Sequence, residues 1–175
     1  MVPVQYNVSM LVQEPVGSVR RYSVDGDVRI DGERRHIRGE ATFLRTQDGV
    51  LVTAELASIG SGQCSRCLGD VTIPIEMTIS EEYIATVDAN TGAALKPPVD
   101  PETFRIDEKY TLNLEEAVRQ SWAGALPMQP LCRQDCQGLC LRCGQDLNSG
   151  DCSCPPEMDE RWSALQTLAK KVKGT

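Results

Sequence analysis

The chain has 175 residues, 41% hydrophobic and 25% charged, which are ordinary values for a folded domain and argue against a disordered or fibrous polypeptide. Its 18 Lys and Arg stand against 25 Asp and Glu, a net charge of −7, which makes it a poor generic nucleic-acid binder, because such binding draws on cations that displace counterions from phosphate; any RNA contact must be local, shape-based or protein-mediated. A single histidine excludes catalytic metal sites built on several, and 4 Tyr, 2 Trp and 2 Phe are too few for a base-stacking platform.

In chain order, the opening Met1-Val2-Pro3-Val4-Gln5 shows no basic segment leading into an apolar one, so no secretory signal is read here. No apolar run approaches the roughly 18–20 residues that span a bilayer, so no membrane association is expected. A cytoplasmic protein is the expectation. An early strand is placed near residues 4–12, and residues 13–34 are ambiguous. The stretch 35–45 partly alternates in polarity, Gln47-Asp48-Gly49 offers a hairpin turn, and 50–59 reads as the next strand, with bulky residues at 50, 52 and 59. Residues 71, 73, 75, 77 and 79 are all apolar, a clean period of two. Pro74 falls on the polar side of that strand and predicts an edge position or a bulge.

Residues 86–110 change character. Asp88-Ala89-Asn90-Thr91-Gly92 and Lys96-Pro97-Pro98-Val99-Asp100-Pro101 are turn signals, and the stretch reads as an acidic linker loop. A helix is predicted over 111–126, capped by Asn113 or Thr111, with Glu115 and Glu116 at the positive end of its dipole. Leu114, Val118, Trp122 and Leu126 recur at helical spacing, and Pro127 stops it. A second short helix is predicted over 159–171, with Trp162, Leu165 and Leu168 on one side. The expected organisation is therefore a β-rich domain at 1–85, a linker at 86–110, and a unit at 111–175 carrying a helix, a cysteine loop and a C-terminal helix. The fold class is α+β: a small antiparallel β-sheet or partly open barrel with C-terminal helices and a cysteine-rich zinc-binding loop.

The eight cysteines carry the chemistry. Cys64-Ser65-Arg66-Cys67 lies between two strand-like runs, where two intervening residues let a tight turn aim both sulfurs at one point. A pair cannot close a tetrahedral site, since structural zinc takes four ligands. Cys140-x-x-Cys143-Gly144 is a second such knuckle, and with Cys152 and Cys154 it makes a compact local set. Cys132 and Cys136 remain, and their natural partners are Cys64 and Cys67. The preferred division is Cys64, Cys67, Cys132 and Cys136 for one zinc ion, and Cys140, Cys143, Cys152 and Cys154 for another. The first set would staple the β-rich half to the segment after the helix and close a loop of over sixty residues. Structural zinc contributes about 10–16 kcal/mol to folding a small module, so losing a ligand should unfold its local segment. Two Zn(Cys)₄ units would deepen the net charge to about −11. Arg66, Arg133 and Arg142 lie beside the thiolates and would offset part of it.

Other readings of the same thiols stand beside this one: disulfides or idle thiols, one zinc ion with spare cysteines, an iron–sulfur centre, or a redox pair at Cys64 and Cys67. His36 reads as a surface strand residue, and Trp122 and Trp162 as core. The Arg34-Arg35-His36-Arg38 cluster reads as a solvated face or as a contact for a polyanion or a partner. No P-loop, nucleophile elbow or His–carboxylate pair is read, so no enzymatic activity and no small-molecule substrate are expected.

The string Cys64-Ser65-Arg66-Cys67-Leu68, Leu131-Cys132, Asp135-Cys136-Gln137-Gly138-Leu139-Cys140, Cys143-Gly144-x-x-Leu147-Asn148 and Cys152-x-Cys154 resembles the YceD-like family of large ribosomal RNA subunit accumulation proteins. Asp159-Glu160-Arg161-Trp162 is similar to that family's closing helix, where Asp-Pro-Arg is commoner. The resemblance implies a non-enzymatic protein needed for normal accumulation of large-subunit ribosomal RNA. It implies as partner a ribosomal RNA precursor, a ribosomal protein or an assembly factor. Family members with fewer downstream cysteines exist, which bears on the second zinc site. An iron–sulfur or redox protein is the rival from another class, and a zinc ribbon joined to transcription machinery is a third reading.

Overall fold

The computed structural model describes residues 4–89, 91–96, 100 and 102–155. The expected helix at 159–171, with Trp162, lies outside the described residues. Two short elements open the chain, β1 (Gln5–Asn7) and α1 (Ser9–Gln13). Four long strands follow: β2 (Val19–Ile30), β3 (Glu33–Arg45), β4 (Gly49–Gln63) and β5 (Asp70–Ala85). Then come β6 (Arg105–Ile106), β7 (Thr111–Asn113) and α2 (Glu115–Ala125).

The long strands pair antiparallel with their chain neighbours, in the order β2-β3-β4-β5, and β6 adds parallel to β5. The sheet is therefore mixed, which corrects the expectation of a purely antiparallel one. The cause is that the chain re-enters the sheet at β6 running in the direction of β5. Part of the stretch read as a linker thus joins the sheet, and Phe104 stacks on Tyr83 with ring centroids 5.1 Å apart. β4 and β5 have 15 and 16 residues, about three times the usual strand. Twist accumulates over that length and curls the sheet into a half-barrel.

Alternation decides which side chains go inside. Val24, Val28, Ile37, Phe43, Val52, Leu56, Ile75, Met77 and Ile79 line the concave face and are buried. α2 packs against β5 and β2 with Leu114, Val118 and Trp122 buried, so it covers the mouth of the curl. β1 pairs antiparallel with β7, and Tyr6 of β1 joins Tyr22 and Phe43 in an aromatic cluster.

Several expectations shift. The strand placed at 4–12 is three residues of strand and then a helix, because the buried Val8, Leu11 and Val12 follow helical spacing. The helix placed at 111–126 begins at Glu115, since Thr111–Asn113 is drawn into pairing with β1. Asn113 still serves its start: its Oδ1 accepts a hydrogen bond from the Glu115 N–H at 2.9 Å. The ambiguous stretch contains β2, which turns into β3 at Asp31 and Gly32, both with positive φ as a type I′ turn requires. Pro74 does lie at an edge, because β6 pairs only with Ile84 and Ala85 of β5. Ile59 points outward and is 61% exposed.

Candidate metal centres

Two turns share one hydrogen-bond frame. In the turn joining β4 to β5, the Cys64 N–H donates to the Gly69 carbonyl at 2.8 Å and the Leu68 N–H donates to the Cys64 carbonyl at 2.9 Å. In the later turn, the Cys140 N–H donates to the Gln145 carbonyl at 2.8 Å and the Gly144 N–H to the Cys140 carbonyl at 2.9 Å. The equivalent residues Leu68 and Gly144 both lie in the left-handed region, with φ of 59° and 72°. The frame turns amides toward the first sulfur of each pair. N–H groups of Cys67, Cys132 and Arg66 hold the Cys64 thiol down to about 6, and those of Cys143 and Arg142 hold Cys140 down to about 6.

The fold brings the eight sulfurs into two sets of four, Cys64 with Cys67, Cys132 and Cys136, and Cys140 with Cys143, Cys152 and Cys154. Within each set all sulfurs lie within 4.8 Å of one another. The Cys64 and Cys136 sulfurs are 3.8 Å apart and those of Cys67 and Cys132 are 3.7 Å apart. A disulfide needs about 2.05 Å. Four thiolates at about 2.3 Å from a central tetrahedral ion stand about 3.8 Å from one another. The separations in the first set therefore fit one four-coordinate ion, the second set is close enough to hold another, and soft thiolates are the donors such an ion takes.

Charge makes the same point. The neighbouring Cys136 thiol and burial push Cys132 up to about 12, and Cys143 and burial do the same to Cys154. Four thiols this close cannot all ionise without a cation between them. Each set so contains a thiol poised to ionise and another that waits for positive charge.

The first set is built into the body of the fold. Cys64 and Cys136 are buried, at 0% and 2% exposure. The Ser65 N–H donates to the Pro130 carbonyl, the Arg66 guanidinium donates to the Cys136 carbonyl at 2.8 Å, and the Leu139 N–H donates to the Arg66 carbonyl at 3.2 Å. Gly138 has φ of +76°, and a Cβ there would stand 3.1 Å from the Arg66 carbonyl oxygen, so the two turns meet backbone to backbone. The second set is peripheral: Cys143 is exposed and the other three are half-buried.

Asn148 joins the two sets, and it is a residue whose part was not read from sequence. Its Oδ1 accepts from the Gln137 N–H and from the Arg133 guanidinium, both at 2.8 Å. Its Nδ2 donates to the Cys136 sulfur at 3.5 Å and to Asp146. The Leu147 N–H, beside it, donates to the Gly138 carbonyl at 2.9 Å. The loop that separates Cys143 from Cys152 therefore braces a ligand of the other set.

His36 stands apart from the sulfurs, on the outer face of β3. The register of the β2–β3 hairpin sets it between Asp25 and Asp27, with nitrogen–oxygen distances of 3.3 and 3.2 Å, which corrects the expectation of no His–carboxylate pair: the two carboxylates come from the neighbouring strand. Trp122 is in the core, as expected. Among the described residues, no helix is long and apolar enough to cross a membrane.

A family model described as large ribosomal RNA subunit accumulation protein YceD matches residues 52–169. An uncharacterized protein of Mycobacterium tuberculosis (strain H37Rv) is 33% identical over 118 residues, 67% of this chain and 55% of that protein. An uncharacterized protein of Mycobacterium leprae is 30% identical over 100 residues, 57% of this chain and 44% of its own length. The chain spans about half the length of the curated relatives it matches. No solved structure matches it.

Proposed function

The chain belongs to the YceD family of large ribosomal RNA subunit accumulation proteins, and from that premise we propose that it is a non-enzymatic, zinc-stapled accessory protein of large-subunit ribosome biogenesis in the cytoplasm. It supports the accumulation of large-subunit ribosomal RNA by contacting precursor RNA, a ribosomal protein or an assembly factor. The observation that carries the zinc reading is the pair of sulfur separations, 3.8 and 3.7 Å, which suit a single tetrahedral ion. Sets this tight leave room for one ion at their centre, which favours zinc over a multi-iron cluster. The metal would supply structure: it neutralises thiolates and ties the β4–β5 turn to the segment after α2.

The non-enzymatic reading rests on the chemistry of the groups at hand. Four cysteine ligands close a tetrahedral site and leave no position for a reacting water. His36 and its two carboxylates stand on an exposed strand face, with His36 at 60% exposure and Asp25 at 77%, where nothing excludes solvent from a proton transfer.

The test is depletion of the protein followed by measurement of large- and small-subunit ribosomal RNA. A selective fall in the large-subunit species, restored by the wild-type chain, supports the reading. Equal levels of both species with and without the protein would contradict it. Co-sedimentation with large-subunit precursors rather than with RNA polymerase separates this role from one in transcription.

A further inference from the structure

The β3–β4 ladder stops short. It runs from Arg45↔Val50 to Arg38↔Ala57, and beyond that point the two strands part. The remainder of β4 pairs only with β5, and Glu33–Ile37 of β3 pairs only with β2. Gly39 marks the parting. Its φ is +156°, and a Cβ there would stand 2.0 Å from the Glu55 carbonyl oxygen. Side chains bridge the gap in place of the ladder. Ser58 Oγ donates to the His36 carbonyl at 2.6 Å, and Arg35 reaches Ser61 Oγ at 3.4 Å while its guanidinium sits 5.6 Å over the Trp122 ring. The result is a notch of about 230 Å³ with Arg34, His36 and Arg38 on one wall and Ala57 and Ile59 on the other.

Arg35 pairs with Glu33 and His36 with Asp25 and Asp27, but the other charges at this notch are unspent. Arg29 faces Arg34 directly across the β2–β3 ladder, an exposed like-charge pair that costs stability. Asp25 faces Arg38, yet its carboxylate goes to His36 instead. Arg29, Arg34 and Arg38 make no ion pair or side-chain hydrogen bond among the described residues. Arg34 and Arg38, unpartnered on one wall of the notch, with Arg29 beside Arg34, can meet an anion there. The volume is below the roughly 300–1,000 Å³ of cofactor pockets and on the scale of one phosphate with its sugar. Ile59, 61% exposed, gives the sugar or a base edge an apolar wall. Glu40 and Glu55 face each other on the same outer surface beyond the notch, so an anionic strand would be repelled from extending that way.

We propose that the notch between β3 and β4 holds the phosphodiester backbone of single-stranded RNA over a short footprint, with Arg34 and Arg38 as the phosphate contacts. The choice of RNA over an acidic protein rests on the reading that this chain acts on large-subunit ribosomal RNA. A local site of this kind is compatible with a net charge of −7, because it needs a few directed guanidinium groups rather than a basic surface.

The test uses the metal-loaded full chain and a fluorescein-labelled oligouridylate, with binding followed by anisotropy across a salt series. The expected results are saturable binding, at least tenfold weakening in R34E/R38E, a smaller loss in R34Q/R38Q, and a salt slope shallower by about 1.4, the value for two single-strand phosphate contacts. R21E, on the same outer face further along β2, should bind within twofold of wild type. Wild type that does not bind the RNA overturns the proposal. So does equal weakening by R21E, which would mean bulk charge alone. So does poly-glutamate competing as well as RNA, which would assign the notch to an acidic protein. A chain that still co-sediments with large-subunit precursors when R34E/R38E is introduced removes the notch and leaves the wider reading standing.

Discussion

Asn148 donates a hydrogen bond from its side-chain amide to the sulfur of Cys136 at 3.5 Å, so a residue from the loop of one four-thiol set holds a ligand of the other. A donor to a ligating sulfur steadies it and disperses its charge, and loss of such a partner typically costs 10–100-fold in metal affinity. Asn148→Ala should therefore speed metal release from the first set by about tenfold while its four cysteines remain. Chelator-competition kinetics measure this. Asn148→Asp should be worse, because it sets a carboxylate against a thiolate.

Cys64→Ser and Cys152→Ser should differ in kind. Cys64 is fully buried at the end of β4 and tied to a segment 72 residues away through Cys136. Its loss should release one metal ion and lower the melting temperature of the whole sheet. Cys152 belongs to a peripheral set drawn from residues 140–154. Its loss should also release one ion but leave the amide spectrum of β2 to β5 unchanged. Metal stoichiometry with two-dimensional NMR distinguishes the two outcomes.

Thiol ionisation gives a pH signature. Cys64 and Cys140 are lowered from the ordinary value of 9.0 to about 6 in the folded chain. A depressed acid stabilises the fold fully above its unfolded value, and that contribution fades as pH falls from about 9 to its folded value near 6. The metal-free chain should thus lose stability on acidification through this window. Near neutral pH these two thiols are already ionised, so each ion bound should displace fewer than four protons, drawn chiefly from groups such as Cys132 and Cys154. Melting curves across pH and proton release in weakly buffered titrations check the two statements.

Leu68 and Gly144 occupy the same place in two matching turns, and only one of them is glycine. A left-handed conformation costs a residue with a Cβ about 1–2 kcal/mol, and glycine loses about 0.5–1 kcal/mol of that gain through its freer unfolded chain. Leu68→Gly should raise stability by about 0.5 kcal/mol. Gly144→Leu should destabilise the second turn by a similar amount or more. Denaturant melts of the two variants test the symmetry of the turns.

The strands were largely legible because burial on one face writes a period of two into the sequence, as at residues 71–79. The hairpin at Asp31-Gly32 carried a strong turn signal, but Asp25, Gly26 and Asp27 in β2 diluted the alternation before it. Its loss hid the register that sets His36 between two carboxylates. The short helix after β1 was masked because Val8, Leu11 and Val12 satisfy a loose apolar pattern as well as a helical one. The grouping of the cysteines was legible because two close pairs and a local four leave few divisions. Asn148 was not, since its contact with a sulfur 12 residues away exists only once two turns have packed together. The parting of β3 from β4 was equally hidden, because it depends on a glycine meeting a carbonyl of the neighbouring strand.

The most direct measurement is metal analysis with sulfur-to-metal distances on protein purified without oxygen or chelator. The expected result is a colourless sample holding close to two zinc ions per chain, each with four sulfurs at about 2.3 Å. A metal-free sample whose thiols are reduced and whose melt matches that of zinc-loaded protein would contradict the stapled architecture, as would a brown sample carrying iron in place of zinc.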